Sequence, residues 1–130
     1  MDLDPVRAAH AVASAGDAIV TVDGTATIAS WNGAAERLFG YSRKEAIGES
    51  LALIIPAADR ARHVAAFHKA MDSGQLAHGG AVARVEATTK AGDLVVLGMS
   101  LGLLNDGAGV VAVLRRLGNA AVEFVPEASS

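Results

Sequence analysis

The chain has 130 residues, of which 52% are hydrophobic and 19% charged, and its formal net charge is −3. These values predict a single compact domain, with no room for a second. The chain contains no cysteine, which excludes disulfides, thiolate metal ligands, a catalytic thiol and a cysteinyl-flavin adduct. Because charges of both signs are scattered and no apolar run reaches about 20 residues, we expect neither nucleic acid nor a membrane as partner, and a cytoplasmic location.

The apolar side chains of this protein are mostly small. Only 4% of residues are aromatic, and 14 are glycine. A domain of this size built from small side chains either packs its backbone layers closely or leaves an internal hollow that a ligand fills. The composition keeps both alternatives open.

The first part of the chain predicts a helix and then a β-hairpin. Asp4 is a suitable cap and Pro5 a suitable first helical residue, so residues 1–15 are expected to form an amphipathic lead-in helix, chiefly over 4–14. Two short strands follow at residues 18–22 and 27–31, separated by a turn at Asp23-Gly24.

Short helices are predicted next. Asn32 can cap a helix over 33–39 that Gly40 ends, and Ser42 with Glu45 three residues later forms a capping-box pattern. A further short apolar turn is expected near residues 51–54.

The longest predicted helix opens at Pro56 and closes at Gly74. Three β-like runs follow it, broken by turns at residues 90–92 and 105–107. The order of elements predicts an α+β domain over residues 16–118, in which short helices and one longer helix cover one face of a five-stranded antiparallel sheet. Residues 119–130 are expected to form a flexible tail.

One continuous stretch resembles the PAS family of sensory modules. In DAIVTVDGTATIASWNGAAERLFGYSRKEAIGESLALIIP, a strand ends in W-N and is followed by A-A-E-R-L-F-G-Y-S, E-x-x-G and a closing P. The resemblance extends over about residues 15–117. It implies the PAS fold and a sensory or interaction module rather than an enzyme, commonly a homodimer, with a small ligand between the sheet and the long helix. A separate or fused signalling protein would receive the output.

His63 is the most informative residue of the long helix. At 100° per residue, His63 shares an apolar arc with Val64, Phe67, Ala70 and Met71, whereas His68 lies on the flank. An inward imidazole needs a partner, because a buried, unpaired ring nitrogen costs about 1–3 kcal/mol. A hydrogen bond within the protein, a water molecule or an iron atom would each satisfy it.

The segment P-x-x-x-R-x-x-H, with a glycine eleven residues later, is similar to the long helix of heme-binding PAS sensors of oxygen and CO. This resemblance implies heme b with His63 as the proximal ligand, for sensing O2, CO, NO or redox state. Met99 would be a distal contact or a sixth ligand, or simply a core methionine. The remaining expected cofactor-binding residues are Phe67, Met71, Arg84 and Leu101. Small residues on the opposing strands would make room for the macrocycle: Ala81, Ala83, Gly98, Ser100 and Ala112.

The chain departs from the heme-binding oxygen sensors at one position, and this keeps other functions open. The oxygen sensors have an arginine twenty residues after the ligand, where this chain has Ala83, and strand alternation points its neighbour Arg84 to the opposite face. One alternative is a ligand-free module that dimerises through residues 4–14 and the exposed sheet face, with His63 hydrogen-bonded in the core. Another is a binder of a fatty acid or other small apolar metabolite.

Overall fold

The computed structural model describes residues 16–74, 83–104 and 109–119. The predicted lead-in helix, the predicted turn at 105–107 and tail residues 120–130 lie outside the described residues. The regular elements are β1 (Ala18–Asp23), β2 (Ile28–Trp31), α1 (Gly33–Phe39), α2 (Arg43–Ala46), α3 (Arg60–Ser73), β3 (Ala83–Thr88), β4 (Leu94–Leu103) and β5 (Gly109–Asn119). None of the helices in these ranges combines the length and the apolar character needed to cross a bilayer.

The five strands form one antiparallel sheet with the order β2-β1-β5-β4-β3. The α+β prediction of a five-stranded antiparallel sheet with helices is therefore confirmed. The first strand lies between β2 and the last strand, so the two ends of the domain meet at the centre of the sheet. The edge strands are β2 and β3.

The β1–β2 hairpin is closed by the side chain of Asp23. Its Oδ1 accepts hydrogen bonds from the Thr25 hydroxyl at 2.7 Å, the Thr25 N–H at 2.9 Å and the Thr27 N–H at 3.1 Å. These bonds, that of the Thr25 hydroxyl foremost, hold the pKa of Asp23 below its usual value. The predicted turn at Asp23-Gly24 is confirmed, but it continues through Ala26, which has a positive φ of 63°.

Both short helices begin at the residues that the sequence predicts. Asn32 caps α1 by accepting a hydrogen bond from the Ala35 N–H, and Gly40 ends it in the left-handed conformation. Ser42 and Glu45 exchange the two hydrogen bonds of a capping box around α2. These contacts satisfy backbone donors that a helix start leaves unpaired.

The start of the long helix differs from the prediction. Pro56 precedes a 3-10 turn at Ala57–Asp59, and α3 begins only at Arg60. The Arg60 side chain donates from Nε to the Ile55 carbonyl, which fixes this entry. Gly74 ends α3 with a φ of 71°, as predicted.

The two faces of the sheet have different surroundings. On the inner face, Ala18, Val20 and Leu97 pack against Trp31 and Phe39 in the main core, to which the short helices contribute. Strand alternation places the remaining side chains of each strand on the opposite face, here called the outer face. A second, small cluster lies there, consisting of Ile19, Val111, Leu104 and Val113.

Candidate functional site

One part of the inner face is only half covered. Near Trp31 and Phe39 the core side chains are fully buried. A set of apolar side chains packed against that core stays partly exposed; we call it the inner cluster, and it comprises Leu51, Leu53, Phe67, Met71, Val85, Met99, Leu101, Leu103 and Ala112. Long α3 contributes a single fully buried residue, Ala70. The arrangement leaves apolar surface of the strands and of α3 incompletely packed.

His63 lies on the inward side of α3, one turn before Phe67. Its side chain is half-buried, and neither ring nitrogen has a hydrogen-bond partner within the part of the chain that the structure describes. Burial lowers the pKa of His63 below its usual value, the positive charge of Arg62 adds to this, and the carboxylate of Asp59 opposes it. The neutral form of the ring, which carries a free nitrogen lone pair, is therefore favoured.

The second histidine of α3 has a different environment. His68 is exposed, as the helical angle predicts, and its ring meets the edge of Phe67 at a centroid distance of 6.4 Å. The two histidines belong to the same helix and differ in burial. His68 is therefore a matched control for His63.

Five of the six residues predicted to bind a cofactor lie on the inner side. Phe67, Met71, Met99 and Leu101 belong to the inner cluster, and His63, one turn before Phe67 on α3, is likewise partly buried. Arg84 does not belong with them. It is exposed and alternates with Val85, whose side chain packs against the main core. The structure therefore does not bring Arg84 together with the other five, because neighbouring residues of a strand face opposite sides of a sheet.

The small residues expected beside a ligand divide in the same way. Ala83 and Ala112 have the inward register, since they pair with Met99 and Leu101. Gly98 and Ser100 lie on the outer face and do not border the inner cluster; that expectation was wrong. Ala81 lies outside the described residues.

Val64 also departs from the prediction. It was placed in the apolar arc of the helix, yet it is 52% exposed. The inward stripe of α3 is narrower than the sequence indicates, consisting of His63, Phe67, Ala70 and Met71.

No group of three or more His, Asp or Glu side chains among residues 16–74, 83–104 and 109–119 is arranged to hold a metal ion. A heme needs only one axial imidazole from the protein, because the porphyrin supplies the other four nitrogens. His63 offers one imidazole beside the apolar side chains of the inner cluster.

A groove that the sequence does not reveal lies beside edge strand β2. It encloses about 290 Å³ and is lined by Ile19, Ala29, Ser30, Trp31, Asn32, Arg43 and Ile47. The Nε of Arg43 donates to the Trp31 carbonyl at 3.1 Å. The lining comes from β1, β2, the cap of α1 and both ends of α2, so only the tertiary arrangement brings these residues together.

Comparison with known proteins gives relatives of the same fold. A PAS domain from Colwellia psychrerythraea matches with a TM-score of 0.66 at 22% identity, over 86% of this chain and 95% of that one. The PAS domain of the RpfR quorum-sensing receptor of Cronobacter turicensis, in complex with C12:0, matches with a TM-score of 0.64 at 17% identity, over 82% and 98%. At these identities the likeness shows the fold alone.

A local similarity to a signalling protein accompanies this fold. The sensor protein FixL of Bradyrhizobium diazoefficiens is 47% identical over 47 residues, which are 36% of this chain and 9% of the relative. The chain thus matches a small part of that protein's length. The family model described as PAS fold covers residues 7–116. Together with the strand order and the helix caps, this match shows that the chain belongs to the PAS family.

Proposed function

We propose that this PAS domain is a sensory module that binds heme b through His63 and responds to a diatomic gas or to redox state. The observation that carries the proposal is the half-buried imidazole of His63, which has no hydrogen bond within the described ranges. The favoured neutral form of this ring offers a nitrogen lone pair on the inner side of the domain. Coordination to iron would satisfy it.

The surroundings of His63 fit a flat, apolar cofactor. Phe67 and Met71 extend the same helical stripe, and Met99 and Leu101 come from the inner side of β4. Their partly exposed apolar surface would be covered by a porphyrin, and its burial would stabilise the complex by about 25 cal/mol per Å². Similarity of the P-x-x-x-R-x-x-H segment to heme-binding PAS sensors supports the same assignment.

The protein's own residues have separate roles in this proposal. When bound, heme supplies an iron atom with a coordination position for a gas. His63 holds the cofactor, Phe67 and Leu101 exclude water, and Met99 is a distal contact or a sixth ligand. Ala83 occupies the position where oxygen sensors of this family have an arginine, which favours CO, NO or redox state over stabilised dioxygen.

An absorption spectrum tests the proposal. Protein expressed with a heme precursor is expected to show a Soret band, which His63→Ala abolishes and His68→Ala retains. When hemin is added to the purified proteins at equal concentrations, the parent and His68→Ala should again show a Soret band and His63→Ala should not. A colourless parent protein, or a Soret band of equal intensity in His63→Ala and His68→Ala, would contradict heme ligation by His63.

A second candidate is a sensor of an apolar metabolite. It is favoured by the inner cluster itself, whose members are all apolar, and a PAS relative from Cronobacter turicensis has been solved with C12:0. If the purified protein is colourless, native mass spectrometry of that preparation would show the bound metabolite as a mass increment. In either case we propose a cytoplasmic homodimer that signals through a separate or fused output protein.

A further inference from the structure

The groove beside edge strand β2 combines apolar side chains with one arginine. Ile19 and Trp31, which are 7% and 1% exposed, form the buried part of its lining. Ala29 is exposed, and so is Ile47, at 42%. The volume of about 290 Å³ is at the lower limit of ligand sites, which range over about 300–1,000 Å³. The groove therefore has room for a small molecule only.

The hydrogen-bond acceptors among the lining side chains are already engaged. The hydroxyl groups of Ser30 and Thr21 bond to each other at 2.7 Å. Asn32 Oδ1 accepts from the N–H groups of Ile19 and Ala35, at 3.0 and 2.9 Å. None of the lining residues carries a carboxylate.

The lining does contain donors that an external molecule can use. Arg43 donates from Nε to the Trp31 carbonyl at 3.1 Å, whereas its Nη1 and Nη2 have no partner within the described ranges. The Glu36 carboxylate accepts from the backbone N–H of Arg43 and not from its guanidinium. Asn32 Nδ2 donates one hydrogen to the Asp17 carbonyl at 3.1 Å, and its second hydrogen has no acceptor in the described part of the chain. The groove thus fits a ligand that accepts hydrogen bonds and carries a negative charge.

We propose that this groove binds a small apolar monocarboxylate. The carboxylate would accept hydrogen bonds from Nη1 and Nη2 of Arg43, in the paired geometry that guanidinium groups form with carboxylates. The apolar part would lie against Ile19, Ala29 and Ile47, and covering the exposed surface of the last two would favour binding. One guanidinium supplies one positive charge, which matches a carboxylate rather than a phosphate dianion.

The open edge of β2 is too short for an extended peptide. The Ile28 N–H donates to the Glu49 carbonyl at 2.8 Å, and the Ile28 carbonyl accepts from the Gly48 N–H at 2.9 Å. At the other end, the Trp31 carbonyl is bonded to Arg43. About 10 Å separates Ile28 from Trp31, at about 3.3 Å per residue. This length suits a short acyl chain and does not allow another strand to pair along β2.

The groove is separate from the inner cluster beside His63, because none of its lining residues belongs to that cluster. The inference therefore does not rest on heme binding. An exposed ion pair contributes little by itself. The apolar contacts would accordingly provide most of the affinity, and Arg43 would select for the carboxylate.

A titration with hexanoate, followed by NMR on the backbone amides of the full chain, tests the inference. Hexanol, which has the same chain length and no charge, is the matched ligand. Hexanoate should give saturable shifts at Ala29 and Ile47, with a Kd about fivefold lower than that of hexanol. Arg43→Gln should raise the Kd for hexanoate about fivefold, to the value for hexanol. Lys44→Gln removes the same charge from the next residue, which does not line the groove, and should leave the Kd unchanged.

Other results would overturn the inference. Hexanoate might give no saturable shift, bind as weakly as hexanol, or weaken equally in Arg43→Gln and Lys44→Gln; each of these would exclude a carboxylate site at Arg43. Shifts confined to Phe67, Met71 and Leu101 would place the ligand in the inner cluster instead. The comparison of hexanoate with hexanol uses the parent protein, so it decides the question even if Arg43→Gln does not fold. His63→Ala should bind hexanoate like the parent, so that loss of the heme assignment and loss of this inference are distinguishable.

Discussion

At Gly109 two strands approach closely because the residue has no side chain. A Cβ at this position would lie 2.1 Å from the Val22 carbonyl oxygen and 3.1 Å from the Asp23 Cα. Both atoms belong to the backbone of β1 and cannot rotate away. Gly109→Ala should therefore force β5 and β1 apart and lower the free energy of unfolding, measured by urea denaturation, by about 3 kcal/mol.

Gly16 provides the matched control for Gly109. A Cβ there would meet nothing within 4 Å, so Gly16→Ala should change the free energy of unfolding by less than about 0.5 kcal/mol. Equal stability of the two variants would show that β5 adapts to a side chain at Gly109 without separating from β1.

Asn32 shows how far a single residue can be predicted from the sequence. Its role as a cap of α1 follows from local spacing and is confirmed. Its side chain also accepts from the Ile19 N–H at 3.0 Å and donates to the Asp17 carbonyl at 3.1 Å. These bonds span 13 and 15 residues of chain, so they depend on the tertiary arrangement, and no local pattern predicts them.

The short helix α2 is connected to the β3–β4 turn by one ion pair. Lys90 Nζ contacts Glu45 Oε2, and the Lys90 N–H donates to the Phe39 carbonyl at 2.8 Å. The Lys90 bond foremost, and then the Ser42 N–H, hold the pKa of Glu45 below its usual value of 4.5. A lowered pKa in the folded state means that this contact stabilises the fold above about pH 4.5 and ceases to do so as the pH falls through the folded-state pKa.

Removal of the ammonium group should be visible in the titration of Glu45. In Lys90→Ala the pKa of Glu45, measured by NMR on its carboxyl carbon, should rise towards 4.5. The stability difference from the parent should be present at about pH 6 and shrink below about pH 4.5. Lys44→Ala removes the same charge from the residue next to Glu45 without removing this bond. An equal pKa change in both variants would assign the effect to net charge rather than to the contact.

The helices and strands were predicted to different accuracy, for physical reasons. Caps and glycine stops are local, so the starts of α1 and α2 and the end of α3 are at the predicted residues. The start of α3 is not, because Pro56 suits a 3-10 turn as well as a helix and the local sequence does not distinguish them. The exposure of Val64 was missed because helical periodicity gives an angle and not the width of the surface that covers the helix.

At the scale of the molecule, strand number and direction follow from the hydrophobic runs and turns. The order β2-β1-β5-β4-β3 does not, since the pairing of β1 with β5 joins residues about 95 apart, such as Ala18 and Leu114. The assignment of the sheet faces follows from that order. The observed strand pairing places Met99 and Leu101 on the inner face, as expected for the site, and Gly98, Ser100 and Arg84 on the outer face.

The main contrast across the whole molecule is between the sheet and α3. Five of the six residues of β1 are buried, whereas in the 14 residues of α3 only Ala70 is. Segments with little buried apolar surface open locally, at a free energy well below that of global unfolding. In native-state hydrogen exchange without added ligand, amides 64–73 should therefore exchange far faster than those of β1 and central β5.

Ligand binding should reduce this contrast. A ligand that contacts Phe67 and Met71 binds the closed form of α3 and not the open one, so it raises the free energy of opening in proportion to its concentration over Kd. Added hemin should slow exchange of amides 64–73 in the parent and in His68→Ala, and leave it unchanged in His63→Ala. Protection of α3 equal to that of β1 before any addition would mean that the inner cluster is already closed, and would remove the physical reason for a ligand beside α3.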